Sequence, residues 1–277
     1  MKSLFVALLL SLCTVWTARA QTVQPLKVGV LPTLSTKTLL TNYEPLRQYL
    51  ERELHHPVIL LTSVSFSRFH HDTLAGDFDL AVTAPHLARV AQLDAGFLPI
   101  ATYLSANRAV LITAKHPPVK DFDELRGRSL AIFDPLALVV LQTQDWLEDR
   151  GLQSGRDYRS VVYPSQNSVG FSVIQNESLI GVTSPAGLRQ YPAELLDKIQ
   201  VFAELPRAPA LIWVVHPQRS READRFKAAL LRFADTPEGA QFYGGNAYKG
   251  MRAVTADELR LLDRPARGVK RLIQVQP

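Results

Sequence analysis

Leu26-Lys27-Val28-Gly29-Val30-Leu31-Pro32 is a short apolar run stopped by a proline, the pattern of a buried strand that turns at its C-terminal end. Leu39 to Leu54 follows, with Leu46, Tyr49, Leu50 and Leu54 recurring at the spacing of one helical face. Val58 to Thr62 is strand-like again, Ser65 to Leu74 reads as a helix begun by a serine cap, and Phe78 to Val82 returns to strand. Pro85 to Leu93 then starts a helix with proline at an early position, where a missing N–H costs nothing. Strand and helix alternating in this way predict an α/β fold, with parallel strands and helices on the sheet faces.

Past Ala101 to Arg108 the alternation starts afresh. Ala109 to Thr113, Ser129 to Phe133, Tyr158 to Tyr163 and Leu179 to Val182 read as strands. Between them Phe122 to Leu125, Leu136 to Arg150 and Ser165 to about Gln175 read as helices, the second stopping at Gly151. From Ile199 onward come a strand-like Ala210 to Val215 and helices near Arg221 to Ala234, Glu238 to Tyr243 and Ala256 to Leu262. Two alternating blocks, without a repeat of solenoid length or a low-complexity linker, predict two α/β lobes.

The N-terminus has the three parts of a secretion signal: Lys2, an apolar run from Leu4 to Leu12, and the small-residue site Ala18-Arg19-Ala20 before Gln21. The run falls short of the roughly 20 residues that span a bilayer. Residues 1–20 are therefore expected to be cleaved after Ala20, leaving the protein in the periplasm. Bulky Leu12 before Cys13 argues against a lipoprotein site. Cys13 is the single cysteine, so cleavage removes every thiol and stability rests on the core, for which 277 residues and 47% hydrophobic content suffice. The formal charge of +5 drops to about +3 once Lys2 and Arg19 leave. Apart from Arg264, Arg267, Lys270 and Arg271, read as a solvated helix end, the basic residues are scattered, so nucleic acid is not an expected partner.

No Gly-x-Ser-x-Gly elbow, His-Glu-x-x-His pair or Walker loop is present, so binding is expected rather than catalysis, with no cofactor. The adjacent pairs His55-His56 and His70-His71 point their members to different helix faces and lack a carboxylate at ligand spacing, so no metal site is expected. Gly244-Gly245 reads as a helix stop. In an open α/β sheet, ligands sit beyond the carboxyl ends of the strands. There stand Thr33 and Leu34, then Ser65, then Thr83, Ala84 and His86. The second block offers Asp134 and Leu136, then Gln166 and Asn167, then Thr183 and Ser184. Each serine or threonine alone also suits a plain helix cap; their convergence at strand ends is the argument for a site. His86 suits donation to a ligand or gating by protonation, and equally an ordinary helix start. Tyr43 suits a pocket wall, and equally core packing.

Taken in order, several segments resemble the substrate-binding proteins of phosphate, phosphite and phosphonate ABC transporters, within the type 2 periplasmic binding fold. They are Leu26 to Pro32, Tyr43-Glu44-Pro45-Leu46 with Tyr49-Leu50 and Pro57-Val58, Leu74-Ala75-Gly76-Asp77-Phe78-Asp79-Leu80-Ala81, Phe122-Asp123-Glu124-Leu125-Arg126-Gly127-Arg128, and Phe133-Asp134-Pro135. The likeness covers about Leu26 to Ala240. It implies two lobes, each a mixed, mostly parallel sheet flanked by helices, with crossings near Tyr103 to Arg108 and Ala203 to Pro209. Residues 25–104 and 206–277 then form lobe 1 and residues 105–205 lobe 2. It also implies a small ligand captured in the cleft by hinge closure and a permease in the membrane as partner, with the protein a monomer. The alternative is a sensing module that signals to a membrane receptor such as a histidine kinase.

Proteins similar to this one usually follow the Asp-Pro pair with small hydroxyl residues and glycine at a helix start, whose N–H groups and hydroxyls hold the oxyanion. Here Leu136-Ala137-Leu138-Val139-Val140 stands in that place. Bulky apolar side chains desolvate an oxyanion without replacing the lost donors. Gly181-Val182-Thr183-Ser184-Pro185 likewise lacks the acidic residue that many relatives place after this strand to meet a ligand ammonium group. The expected ligand is an uncharged or weakly charged organic solute rather than a phosphonate.

Overall fold

The computed structural model describes residues 24–245 and 248–275; the secretion signal expected at residues 1–20 lies outside them. The chain begins with β1 (Leu26–Val30), α1 (Thr36–Leu54), β2 (Val58–Leu61), α2 (Phe66–Ala75), β3 (Leu80–Thr83), α3 (Pro85–Ala95) and β4 (Leu98–Tyr103). It continues through β5 (Val110–Ala114), β6 (Ser129–Ile132), α4 (Leu138–Glu148), β7 (Arg159–Val162), α5 (Gln166–Ile174), β8 (Ile180–Thr183), α6 (Pro185–Leu188), α7 (Ala193–Leu196) and β9 (Ile199–Glu204). Then come β10 (Ile212–Val215), α8 (Ala223–Arg232), α9 (Pro237–Gly245), β11 (Met251–Ala253), α10 (Ala256–Arg260) and α11 (Asp263–Val275).

Two mixed sheets result, ordered β11-β4-β10-β3-β1-β2 and β7-β6-β8-β5-β9. Each has a parallel block of three strands, β2-β1-β3 in one and β7-β6-β8 in the other, to which the remaining strands add antiparallel. The strands of each block follow one another through helices, as parallel neighbours require. Interior strands β3, β6, β8 and β10 are buried throughout, whereas the edge strands β2, β7 and β9 are partly exposed. A strand covered on both faces reads as a continuous apolar run, which is why Leu80–Thr83 and Ile212–Val215 show no alternation.

Ser35, Ser65, Ser165 and Ser184 each cap the helix that follows, accepting from the N–H groups of Thr38, Arg68, Ser168 and Gly187. Two of the helices that open at a strand end start without such a cap. α3 follows Ala84 and α4 follows Ala137.

One apolar layer, including Val28, Val30, Leu46, Leu50, Trp213, Phe226 and Phe233, fills the space between the first sheet and helices α1 and α8. A second is continuous through both sheets: Leu31, Phe66, Phe69, Leu87 and Val214 of the first join Leu130, Ile132, Val140, Ile180 and Val182 of the second. The chain passes from β4 to β5 and returns from β9 to β10. These two crossings are hydrogen-bonded to each other, Asn107 N–H to Ala208 O at 2.9 Å and Ala208 N–H to Asn107 O at 2.7 Å. α11 packs against α3 and α4, burying Ala266 and Val269. Its charged residues are paired on both sides: Asp263 meets Arg89 at 2.7 Å, Lys270 meets Asp94, and Arg264 meets Asp149 at 3.1 Å.

Candidate functional site

The loops at the carboxyl ends of β3 and β6 touch. Thr83 ends β3, Pro85 opens α3 with its fixed φ, and His86 comes one residue later, fully buried. Its Nε2 lies 2.7 Å from the carbonyl oxygen of Leu136, just beyond β6. A carbonyl can only accept, so Nε2 carries the hydrogen and Nδ1 is left with a lone pair. Neither that Nδ1 nor the hydroxyl of buried Thr83 has a partner among the described residues.

Leu136 is held from the other side as well. Its N–H donates to the Asp134 carboxylate at 2.8 Å, closing a turn that sets the start of α4. Burial pushes the Asp134 carboxyl above its ordinary range, partly offset by the N–H groups of Leu136 and of Phe66 in α2. Beyond it Leu136, Ala137, Leu138, Val139 and Val140 are all buried, and four of them share an apolar layer with Leu31, Phe66, Ala84 and Leu87 of the first sheet.

Gln166, Thr183 and Ser184 converge at the second sheet. The Gln166 side-chain oxygen accepts from the Thr183 hydroxyl at 2.9 Å and lies 3.4 Å from that of Ser184, which itself accepts from Gly187 N–H. The first sheet repeats this arrangement with different side chains. Thr83-Ala84-Pro85-His86 matches Thr183-Ser184-Pro185-Ala186, and Ser65-Phe66 matches Ser165-Gln166. Phe66 and Ala84 cannot do what Gln166 and Ser184 do, so the Thr83 hydroxyl is left over while Thr183 is satisfied.

The other candidates are spread out. Thr33 is half-buried and its N–H turns back to Leu31 O; Leu34 packs on the layer of the first sheet; Asn167 is half-buried one residue into α5. Ser65 caps α2. Tyr43 lies in the layer under α1, its hydroxyl 3.2 Å from that of Tyr103 and its ring edge-on to Phe242. Burial, with the neighbouring phenols of Tyr103 and Tyr248, holds the Tyr43 phenol well above its usual range.

His70 belongs to this region, although strand-end position does not single it out as a site residue. It is buried in α2 and its Nε2 has no partner among the described residues, while the side chain of His71 is 71% exposed. Burial brings both His70 and His86 down to about 4, against the opposing pull of Asp94 on His70 and of the Leu136 carbonyl on His86, with His71 adding to the shift of His70 and His70 to that of His86. A signal for it exists in the sequence: Phe66, Phe69, His70 and Thr73 lie at i, i+3, i+4 and i+7, one buried helical face.

Residues 28–259 match the model of a family described as the phosphonate ABC transporter periplasmic substrate-binding protein. Among solved structures, PhnD1 of Prochlorococcus marinus in complex with methylphosphonate superposes with a TM-score of 0.76 at 13% identity, over 88% of this chain and 98% of that one. The binding component of an ABC phosphonate transporter from Pseudomonas aeruginosa gives 0.74 at 15%, over 91% and 95%. The aliphatic sulphonate binding protein SsuA of Escherichia coli gives 0.62 at 13%, over 91% and 89%. At such identities the structures speak for the fold, the two-lobed type 2 periplasmic binding architecture, and the family match speaks for the lineage. The chain belongs to the periplasmic substrate-binding proteins of phosphonate-type ABC transporters.

Proposed function

We propose that the cleft where the two sheets meet at their carboxyl strand ends holds a small organic solute without full negative charge, for delivery to an ABC permease. The start of α4 carries this reading. Five buried apolar residues, Leu136 to Val140, stand there with no hydroxyl among them and no side-chain cap on the helix. An ion set against such a wall gives up water and gains few donors, a cost that a neutral polar solute avoids. The residues after β1, β3, β6 and β8, and the start of α5, are proposed to face it.

In this reading residues 25–104 with the chain from 206 onward form one lobe and residues 105–205 the other, hinged at the paired Asn107 and Ala208. The protein acts as a monomer and by binding rather than turnover, and its leader ends at Ala20, so mass spectrometry of exported protein finds Gln21 first. The ligand is tested by melting-temperature shifts of the purified protein against sugars, amino acids, organic acids and phosphorus compounds, since a ligand of the native state stabilises by mass action. A neutral or zwitterionic hit supports the proposal. Tight calorimetric binding of methylphosphonate or inorganic phosphate overturns it.

A further inference from the structure

We infer that His86 is the positioning residue that holds the two lobes closed over the site, through its hydrogen bond to the Leu136 carbonyl. Of the proposed function this assumes only where the cleft lies. Residues 86 and 136 belong to different lobes, fifty positions apart in the chain. Both are buried, so breaking their 2.7 Å contact leaves a donor and an acceptor with no immediate replacement. The Asp134 carboxylate reaches across the same junction to the N–H of Phe66, so the two buried bonds flank Leu136. Farther out, Arg264 of α11 pairs with Asp145 of α4 and with Asp149 just after it, but solvent screens that contact: the side chains of Arg264 and Asp149 are 50% and 58% exposed. Exposed pairs of that kind contribute little, so among the polar contacts across the junction the buried bonds count most.

The surroundings fit the role. Pro85 fixes the backbone just before the imidazole, and Asp134 fixes the peptide that presents the carbonyl. Burial keeps His86 neutral near pH 7, with its hydrogen on the nitrogen that faces Leu136. At the equivalent position of the second lobe stands Ala186, which has no side-chain donor. This contact is therefore made from one lobe alone.

Unliganded mature protein provides the test, read by amide hydrogen exchange over residues 85–91 and 136–141 and by small-angle scattering. His86→Leu keeps the bulk and removes the donor. It is expected to speed exchange in both segments by roughly tenfold, the effect of one buried hydrogen bond, and to raise the radius of gyration. His86→Gln, which can still donate, is expected to stay near wild type. Unchanged exchange in His86→Leu, or equal acceleration by both variants, overturns the inference and leaves His86 a space-filling residue. Should His86→Leu fail to fold, His86→Asn decides, because its shorter amide stops short of Leu136. Acceleration in both segments then supports the contact, and exchange at the wild-type rate refutes it. No ligand enters these measurements, so a wrong ligand assignment leaves their outcome unchanged.

Discussion

Gln166 and Thr183 come from different strand ends of one sheet and share a 2.9 Å hydrogen bond over the α-carbon of Gly187. A Cβ at position 187 would stand 1.8 Å from the Gln166 oxygen and 2.4 Å from the Thr183 hydroxyl. Gln166 can swing aside, but Thr183 is fully buried and would lose its acceptor. Gly187→Ala is expected to cost about 2 kcal/mol and to lower the melting temperature by roughly 5 °C. Adding Gln166→Ala relieves part of the clash, so the double variant falls short of the summed losses in a thermodynamic cycle. A Gly187→Ala protein as stable as wild type rules the network out as a structural element.

Acid should weaken the fold before most carboxylates titrate. His70 and His86 sit at about 4 in the native state because burial disfavours their charged form, against 6.5 when unfolded. Between those values the unfolded chain binds more protons, so the stability is complete above pH 6.5 and declines as pH falls toward 4. At pH 5 each histidine accounts for a loss of about 2 kcal/mol. Asp134, raised by burial, acts in the opposite sense at lower pH. Urea midpoints at pH 7 and pH 5 give the answer; identical values would refute the buried, neutral state of both rings, and His70→Gln with His86→Gln should flatten the difference.

Tyr43→Phe removes one hydroxyl from a buried pair and keeps the ring contact with Phe242, whose centroid is 5.2 Å away. The Tyr103 hydroxyl then loses that partner, and stability falls by about 1 kcal/mol. In spectrophotometric titration the phenols of Tyr43 and Tyr103 should ionise only as the protein unfolds, because burial holds both well above the ordinary range. Ionisation of all tyrosines near pH 10 in folded protein would contradict that packing.

The alternating blocks are legible in sequence because local patterns carry them. The run from Leu26 and the helical face of Leu46, Leu50 and Leu54 reappear as β1 and α1, and Ser65, Ser165 and Ser184 do cap helices. Leu98–Tyr103, Ile199–Glu204 and Met251–Ala253 carry no strand pattern of their own, since their pairing comes from neighbours distant in sequence: β11 with β4, β9 with β5. α11 shows in sequence only as a basic helix end. Its apolar positions, Ala266, Val269 and Leu272 after Leu262, recur at helical spacing among charged residues, and α3 and α4 supply the rest of their packing. Residue type at strand ends is enough to nominate His86, Asp134 and Leu136 as candidates. Which of them touch is beyond it, because the His86–Leu136 bond depends on how two sheets face each other.

β10 lies between β3 and β4, fully buried, with Ile212 opposite both Thr83 and Thr102. Strands β5 to β9, by contrast, form their sheet from one uninterrupted stretch of chain. In chain order every strand of the second sheet precedes β10, whose place at the centre of the first sheet is filled only afterwards, and contacts of such long sequence separation form slowly. The first sheet of a polypeptide bound for export therefore cannot close until the last third of its chain is available.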